Sequence, residues 1–169
     1  DEQEPLLNVL QQLHATGTRL IWLEGNHDFQ LGADLATRLG AEIYPGPVLL
    51  ELQGKQVFLC HGDLINKADW RYRLLYRALR SRVTLQIGRM LPASAVQGLR
   101  SRLQRSSKGR YHKDRKRWDY SSMIRSYAAS IRTEGAQALV LGHFHQPFID
   151  QQQDFTLVSL GDWISHYSY

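Results

Sequence analysis

The sequence has a single cysteine and no long hydrophobic run, and each feature excludes some classes of protein. Cys60 has no second cysteine with which to form an internal disulfide, so we expect a reducing, cytoplasmic setting. No apolar run approaches the roughly 18–20 residues needed to cross a bilayer. Apolar residues make up 43% of the 169 positions and charged residues 22%, which is typical of one globular domain with a sizeable core.

Acidic side chains are scarce in one segment, residues 67–117. This segment holds 16 Lys or Arg against two acids, Asp69 and Asp114, and so carries a net charge of +14. The remaining positions hold 5 basic and 14 acidic side chains, a net charge of −9. Such segregation predicts that the segment faces an anionic partner. Phosphate-bearing lipid, an anionic membrane surface and nucleic acid are the candidates, and a solvated basic face on a pair of helices is the alternative.

Short apolar runs alternate with helical patterns elsewhere, so the sequence predicts an α/β fold. We expect helices at residues 2–16, 33–40 and 118–134, and strands at residues 19–24, 48–52, 56–60, 138–142 and, as a final pair, within 148–163. A basic helical insertion interrupts this alternation. The predicted domains are therefore a core formed by residues 1–68 and 118–169, and a lid formed by residues 69–117.

Three polar motifs each follow an apolar run, and a glycine marks each one. NHD at residues 26–28 follows IWLEG, HGD at 61–63 follows VFLC, and HFH at 143–145 follows LVLG. Ligand sites of α/β folds gather at the carboxyl ends of strands. If these strands lie side by side, their ends bring four side chains into one pocket: Asn26, His61, His143 and His145. Taken singly, each motif has a plainer interpretation as a turn or a hydrogen-bonded histidine.

Imidazole nitrogens suit zinc, iron and manganese, while a neutral amide oxygen suits harder ions, so this mixed set predicts paired divalent metals. Two metals about 3.5–4 Å apart can clamp a phosphoryl oxygen and generate hydroxide at neutral pH. Side chains at i and i+2 of an extended chain point the same way. On that geometry His143 and His145 would serve one metal each, with Phe144 packed behind them.

In this order, GNHD, HGD and GHFH resemble the later motifs of the calcineurin-like metallophosphoesterases, which are four-layer α/β/β/α sandwiches with two metals at one end. The resemblance implies a ligand set of Asn26, His61 and His143 for one metal, with His145 on the other. It also implies two divalent ions as cofactors; we expect manganese, with iron or zinc as alternatives.

The same resemblance implies that His27 and Asp28 form the pair that steadies the transition state and protonates the leaving group. The family's two earlier motifs, an Asp-x-His and a Gly-Asp pair whose aspartate bridges the metals, have no counterpart here. Since the first residue is Asp1 rather than Met, we expect this chain to be the later part of a longer protein. Alone, it would bind metal poorly and turn substrate over slowly or not at all.

The basic insertion resembles the lid of the UDP-2,3-diacylglucosamine hydrolase family, enzymes of lipid A synthesis that convert a lipid-linked nucleotide-sugar diphosphate to lipid X and UMP. The resemblance implies that Asp69 contacts substrate together with a lid cluster at Ser106, Arg110 and Lys113. Arg110 and His27 depart from that family's pattern. An apolar, basic lid suits acyl chains and phosphates, so we expect a peripheral position at the inner face of the bacterial inner membrane.

Two other functions stay open at this point. A nuclease or phosphodiesterase would share the metal site and would use the insertion's interleaved aromatics and arginines to bind nucleic acid. A degenerate phosphoesterase scaffold without catalysis would serve only as a basic binding module. No feature of the sequence identifies a protein partner.

Overall fold

The computed structural model describes residues 4–28, 31–92 and 118–162, with isolated positions between 94 and 102. The chain divides into two compact units. One, here called the sheet unit, comprises residues 1–63 and 134–169; the other, called the helical unit, comprises residues 64–133. The predicted boundaries of the lid, residues 69–117, stay a prediction.

The first sheet of the sheet unit has two parallel strands, β1 (Leu20–Leu23) and β2 (Ala41–Tyr44). Helix α1 (Glu4–Ala15) precedes β1, and α2 (Gly32–Leu39) connects the two strands. Helix α2 packs on β2 and on α1. The sequence did not predict strand β2 (AEIY), whose four positions are all half-buried. Strand β2 is recognised by its parallel pairing with β1.

The second sheet has five strands, ordered β3-β4-β5-β7-β6. They span Val48–Leu52 (β3), Lys55–Cys60 (β4), Ala138–Leu141 (β5), Phe148–Gln151 (β6) and Thr156–Ser159 (β7). Strands β4, β5 and β7 are parallel and neighbouring, and their last residues pair with each other: Cys60 with Leu141, and Leu141 with Ser159. Their carboxyl ends therefore lie level along one edge of the sheet.

One face of this second sheet carries the core of the sheet unit. Leu139 and Leu141 on β5 are buried, and so are Leu157 and Ser159, the residues opposite them on β7. Alternation along each strand places these residues on the same face. Burying each leucine stabilises the unit by about 1.5–3 kcal/mol, which holds the strand ends in fixed positions. The α/β class predicted from the sequence is confirmed.

The helical unit contains α3 (Trp70–Leu79), α4 (Arg82–Met90) and α5 (Tyr120–Thr133). The side chains of Asp69 and Ser81 cap α3 and α4 by accepting backbone hydrogen bonds, as is typical of residues that begin helices. Within the described part of the chain, no helix combines the length and the hydropathy needed to cross a membrane.

Candidate metal centre and active site

The loops that follow β4, β5 and β7 are joined by backbone hydrogen bonds beyond the strand ends. The amide of Gly142 donates to the carbonyl of His61 (3.2 Å), and the amide of Leu160 donates to that of Leu141 (2.8 Å). Gly62 adopts a φ of +103°, and a methyl group on it would lie 3.1 Å from the carbonyl oxygen of Gly142. The loops carrying His61 and His143 are thus fixed at close range.

Three of the four predicted ligand side chains meet at this edge. Asn26 Oδ1 lies 3.0 Å from His61 Nε2, and His143 Nδ1 lies 3.3 Å from the same nitrogen. The rings of His61 and His143 meet edge to face, with centroids 5.1 Å apart. Asn26 does not come from a neighbouring strand as predicted, because β1 belongs to the first sheet and does not lie beside β4. Asn26 reaches His61 from a different sheet.

The two separations measured from His61 Nε2 fit ligands of a single divalent cation. At metal–ligand distances of about 2.1 Å, adjacent ligands stand about 3.0 Å apart in octahedral geometry and about 3.4 Å apart in tetrahedral geometry. The observed separations of 3.0 and 3.3 Å lie in that range. Among the described residues no group of three or more His, Cys, Asp or Glu side chains has metal-site spacing. The candidate set is therefore two imidazoles and one amide.

His143 is suited to be a neutral donor. Burial, and then the nearness of His61, lowers its pKa to about 4; His145 and His27 act in the same direction, and Asp63 opposes them. The imidazole is consequently uncharged at neutral pH, which is the form that binds cations.

The HFH motif is not extended, so the i/i+2 geometry expected for it is wrong. His143 and His145 have φ values of 70° and 52°, in the left-handed region. The amide of Phe144 donates to the carbonyl of Gly142 (2.8 Å), which closes a tight turn. Phe144 is buried with its ring edge-on to His143, as expected. His145 is half-exposed, and its Nδ1 lies 3.6 Å from Asp162 Oδ2.

The predicted catalytic pair occupies the turn after β1. Asp28 accepts hydrogen bonds from the indole N–H of Trp22 (3.0 Å) and from the amide of Gly25 (3.1 Å). These bonds fix the turn that carries Asn26. His27 is exposed beside them. The catalytic roles of His27 and Asp28 stay predictions.

No family model matches the chain. The UDP-2,3-diacylglucosamine hydrolase of Haemophilus ducreyi is 30% identical to it over 168 residues, which cover 96% of the chain and 71% of that protein. The chain belongs to the UDP-2,3-diacylglucosamine hydrolase family. The hydrolase of Pseudomonas paraeruginosa is 31% identical over 95% of the chain and 68% of its own length. That of Neisseria meningitidis serogroup C is 28% identical over 94% and 66%.

The chain spans 66 to 71% of the length of these three hydrolases. Among solved structures, an archaeal phosphodiesterase matches 95% of the chain and 63% of its own, at 12% identity and a TM-score of 0.45. A Vps29 of Entamoeba histolytica, complexed with zinc, matches at 12% identity and a TM-score of 0.38. Both scores lie below 0.5, so neither likeness bears on function. Membership of the hydrolase family confirms the resemblance drawn from the motifs.

The structure describes one of the four residues expected to contact substrate. Asp69 begins α3, and its Oδ1 accepts a hydrogen bond from the amide of Tyr72 (3.0 Å). Ser106, Arg110 and Lys113 lie outside the described residues. Substrate contact by all four residues stays a prediction for this member of the hydrolase family.

Asp162 is the residue of the site that the sequence did not reveal. It is 7% exposed and approaches His145 from the loop after β7. Its signal was present, because SLGD places an acid and a glycine directly after an apolar strand, as the three recognised motifs do. The family resemblance implies no role for Asp162.

Proposed function

We propose that the whole protein is a metal-dependent pyrophosphatase that cleaves UDP-2,3-diacylglucosamine to lipid X and UMP. The observation that carries this proposal is the convergence of Asn26, His61 and His143 from separate loops: His61 Nε2 lies 3.0 Å from Asn26 Oδ1 and 3.3 Å from His143 Nδ1. The names of the relatives support the choice of substrate. Because the chain spans about two thirds of those relatives, the proposal concerns the whole protein.

In this proposal Asn26, His61 and His143 hold one divalent cation, and His145 is a ligand of a second. Bound cations of this kind neutralise phosphate oxygens and lower the pKa of water toward neutrality. Manganese is the ion proposed, with iron or zinc as alternatives that the same imidazole and amide donors accept.

The turn after β1 supplies the remaining chemistry. Breaking a pyrophosphate bond leaves negative charge on the departing phosphate oxygen, and a protonated imidazole can neutralise it. His27 is exposed at this turn, where a substrate can reach its ring. Asp28 keeps the turn in place through its bonds to Trp22 and Gly25. The proposed roles are therefore proton donation by His27 and support of the turn by Asp28.

The helical unit offers a surface suited to the lipid part of the substrate and to the face of an anionic membrane. Its first two helices expose large apolar side chains, namely Trp70, Leu74, Val83, Ile87 and Met90. Exposed arginines lie among them, and Arg71 stacks over the ring of Trp70 at 5.5 Å. Apolar groups interleaved with cations favour an interfacial position on anionic lipid. We propose a peripheral place at the cytoplasmic face of the inner membrane.

The test is a substrate panel assayed with the full-length protein and manganese. Release of UMP from UDP-2,3-diacylglucosamine, abolished by EDTA and restored by manganese, is the expected result. Hydrolysis of a cyclic nucleotide or of DNA without UMP release would instead favour the other phosphoesterases, and nuclease binding should weaken steeply with salt. A full-length protein that holds no metal and hydrolyses nothing would be a binding module only.

A further inference from the structure

The side chain of Trp22 reaches from strand β1 to the turn that carries the proposed ligand Asn26. Its indole N–H donates to Asp28 Oδ2 at 3.0 Å, while Asp28 Oδ1 accepts the amide of Gly25 at 3.1 Å. Both distances are those of ordinary hydrogen bonds between nitrogen and oxygen. The carboxyl group of Asp28 therefore ties the turn both to its own start and to the strand before it.

The indole is a donor whose position is set by the first sheet. Trp22 is the third residue of β1 and stands opposite Ile43 in the parallel pairing of β1 with β2. An indole N–H can donate but not accept, so it has one way to bind a carboxyl oxygen. The far end of the same segment is also held, because the buried carboxyl group of Glu24 accepts the amide of Leu31 (2.9 Å).

Two residues of the proposed site, Asn26 and His27, lie between Gly25 and Asp28. The bond from Gly25 closes this short turn, and the bond from Trp22 sets the direction of the turn relative to β1. Asn26 Oδ1 lies 3.0 Å from His61 Nε2, which belongs to the second sheet. Since the side chains of a site must be held within about 0.5 Å of the productive geometry, a donor that directs the turn affects the site without contacting it.

We propose that Trp22 is a positioning residue, which through its hydrogen bond to Asp28 holds in place the turn that carries Asn26 and His27. The inference deepens the proposed function and rests on it, since it concerns the same metal site. In this role Trp22 acts through Asp28 and contacts neither cation nor substrate.

The test compares Trp22→Phe with Tyr44→Phe in the full-length protein. Trp22→Phe keeps an aromatic ring but removes the donor. Tyr44→Phe is the matched control, because it removes a hydrogen bond to another carboxyl group of the same sheet, from its hydroxyl to Glu42 (2.8 Å). In Trp22→Phe we expect kcat for UMP release to fall about 10-fold, with KM changed less than about twofold. Manganese affinity should also fall about 10-fold, at the site that Asn26→Ala weakens, and Tyr44→Phe should change none of these values.

Two further measurements separate positioning from packing. In an Asp28→Ala background the acceptor is absent, so Trp22→Phe should lower kcat by less than about twofold more. In the metal-free protein, proton–nitrogen NMR should find the side-chain amide signals of Asn26 shifted by Trp22→Phe and unchanged by Tyr44→Phe. If Trp22→Phe does not fold, β-(3-benzothienyl)alanine at position 22 takes its place, because it keeps the shape of the indole without the N–H.

Unchanged kcat, manganese affinity or Asn26 signals in Trp22→Phe would overturn the proposal. A full 10-fold further loss in the Asp28→Ala background, or an equal loss in Tyr44→Phe, would do the same. An unaltered protein that binds no manganese refutes the proposed function, and the role of Trp22 in it falls as well. The two failures are distinguishable, because the inference alone is wrong when the unaltered protein binds manganese and releases UMP but Trp22→Phe behaves like Tyr44→Phe.

Discussion

Gly25 lies directly against the imidazole of His61. A methyl group built on the glycine would stand 3.0 Å from His61 Cε1 and 2.7 Å from Asp28 Oδ1. The backbone of Gly25 is not in the left-handed region, so conformational freedom is not what requires glycine there. The missing side chain allows the turn after β1 to approach the ring closely enough for Asn26 to reach Nε2.

Replacing this glycine should therefore damage the site through packing. We expect Gly25→Ala to lower the free energy of unfolding by about 1–3 kcal/mol and to weaken manganese binding, because the ring or the turn must move. Gly46→Ala is the control: no atom lies within 4 Å of its added methyl and its φ is ordinary, so its effect should stay within about 0.5 kcal/mol. Denaturant unfolding and manganese titration measure both. Equal behaviour of the two variants would contradict the packing argument.

His61→Ala should abolish activity without unfolding the protein. Its Nε2 is the atom shared by Asn26 and His143, so its loss removes one proposed ligand and the contact of two others. UMP release should fall by more than about 100-fold, since even residues behind a metal ligand are worth about 10- to 100-fold. The thermal midpoint should change by only a few degrees. His14→Ala, an exposed histidine on α1, should keep full activity, and similar losses in both variants would rule out a specific role.

Asp69 offers a way to separate helix capping from substrate contact. Its side chain accepts a hydrogen bond from the amide of Tyr72, so Asp69→Ala should lose about 1 kcal/mol of stability. Asp69→Asn keeps an acceptor oxygen for the cap but loses the charge. If Asp69 also contacts substrate, Asp69→Asn should keep its thermal midpoint and raise KM.

The control for this pair is Ser81→Ala, which removes the corresponding cap of α4. It should cost similar stability and leave KM unchanged. An Asp69→Asn variant with unchanged stability and unchanged kinetics would leave Asp69 with the capping role alone.

The thiol of Cys60 should be inert in the folded protein. Burial, and then the charge of Asp63, raises its pKa to about 12 from an ordinary value of 9.0. Since the thiolate is the reactive form, we expect almost no labelling by Ellman's reagent at pH 8, and rapid labelling in denaturant. Fast labelling under native conditions would contradict the burial of this side chain.

The same shift predicts a dependence of stability on pH. The folded state favours the protonated thiol, so this contribution is complete below pH 9 and is lost as the pH rises from about 9 through about 12. Cys60→Ala removes the group, and other groups that titrate in this range act alike in both proteins. The unaltered protein should therefore lose stability more steeply than the variant across that window.

Charge reversal on the helical unit should separate membrane binding from chemistry. Arg71, Arg77 and Arg82 are exposed on α3 and α4, and each basic residue near an anionic surface is worth about 1 kcal/mol. The triple change to Glu should abolish co-sedimentation with anionic vesicles while hydrolysis of a small soluble phosphoester persists. Reversal of Arg125 and Arg132, exposed on α5, is the control. An equal loss of vesicle binding and of phosphoester hydrolysis would count against a lipid-facing surface.

Much of the candidate site could be predicted from the sequence because polar residues marked by glycine directly follow apolar runs. That pattern predicts that His61 and His143 lie close together, because the carboxyl ends of neighbouring parallel strands lie at the same edge of a sheet. Which strands are neighbours is a tertiary property, and so the place of β1 in a separate sheet could not be read from its own residues.

The left-handed turn at His143 and His145 escaped prediction for a different reason. Positive φ is uncommon for residues other than glycine; histidine adopts it more often than most residues do, but two histidines alone do not predict it. Surrounding structure imposes it here, through the buried ring of Phe144 and the bond from its amide to Gly142.

Backbone hydrogen bonds that continue past the ends of β4, β5 and β7 tie the HGD and HFH loops to the sheet. His61 directly follows its strand, whereas His143 stands two residues beyond Leu141. An insertion at either place would disturb the bond from the Gly142 amide to the His61 carbonyl, which holds the two loops together. The number of residues between each strand end and its histidine is therefore a length that the fold cannot change without displacing an imidazole.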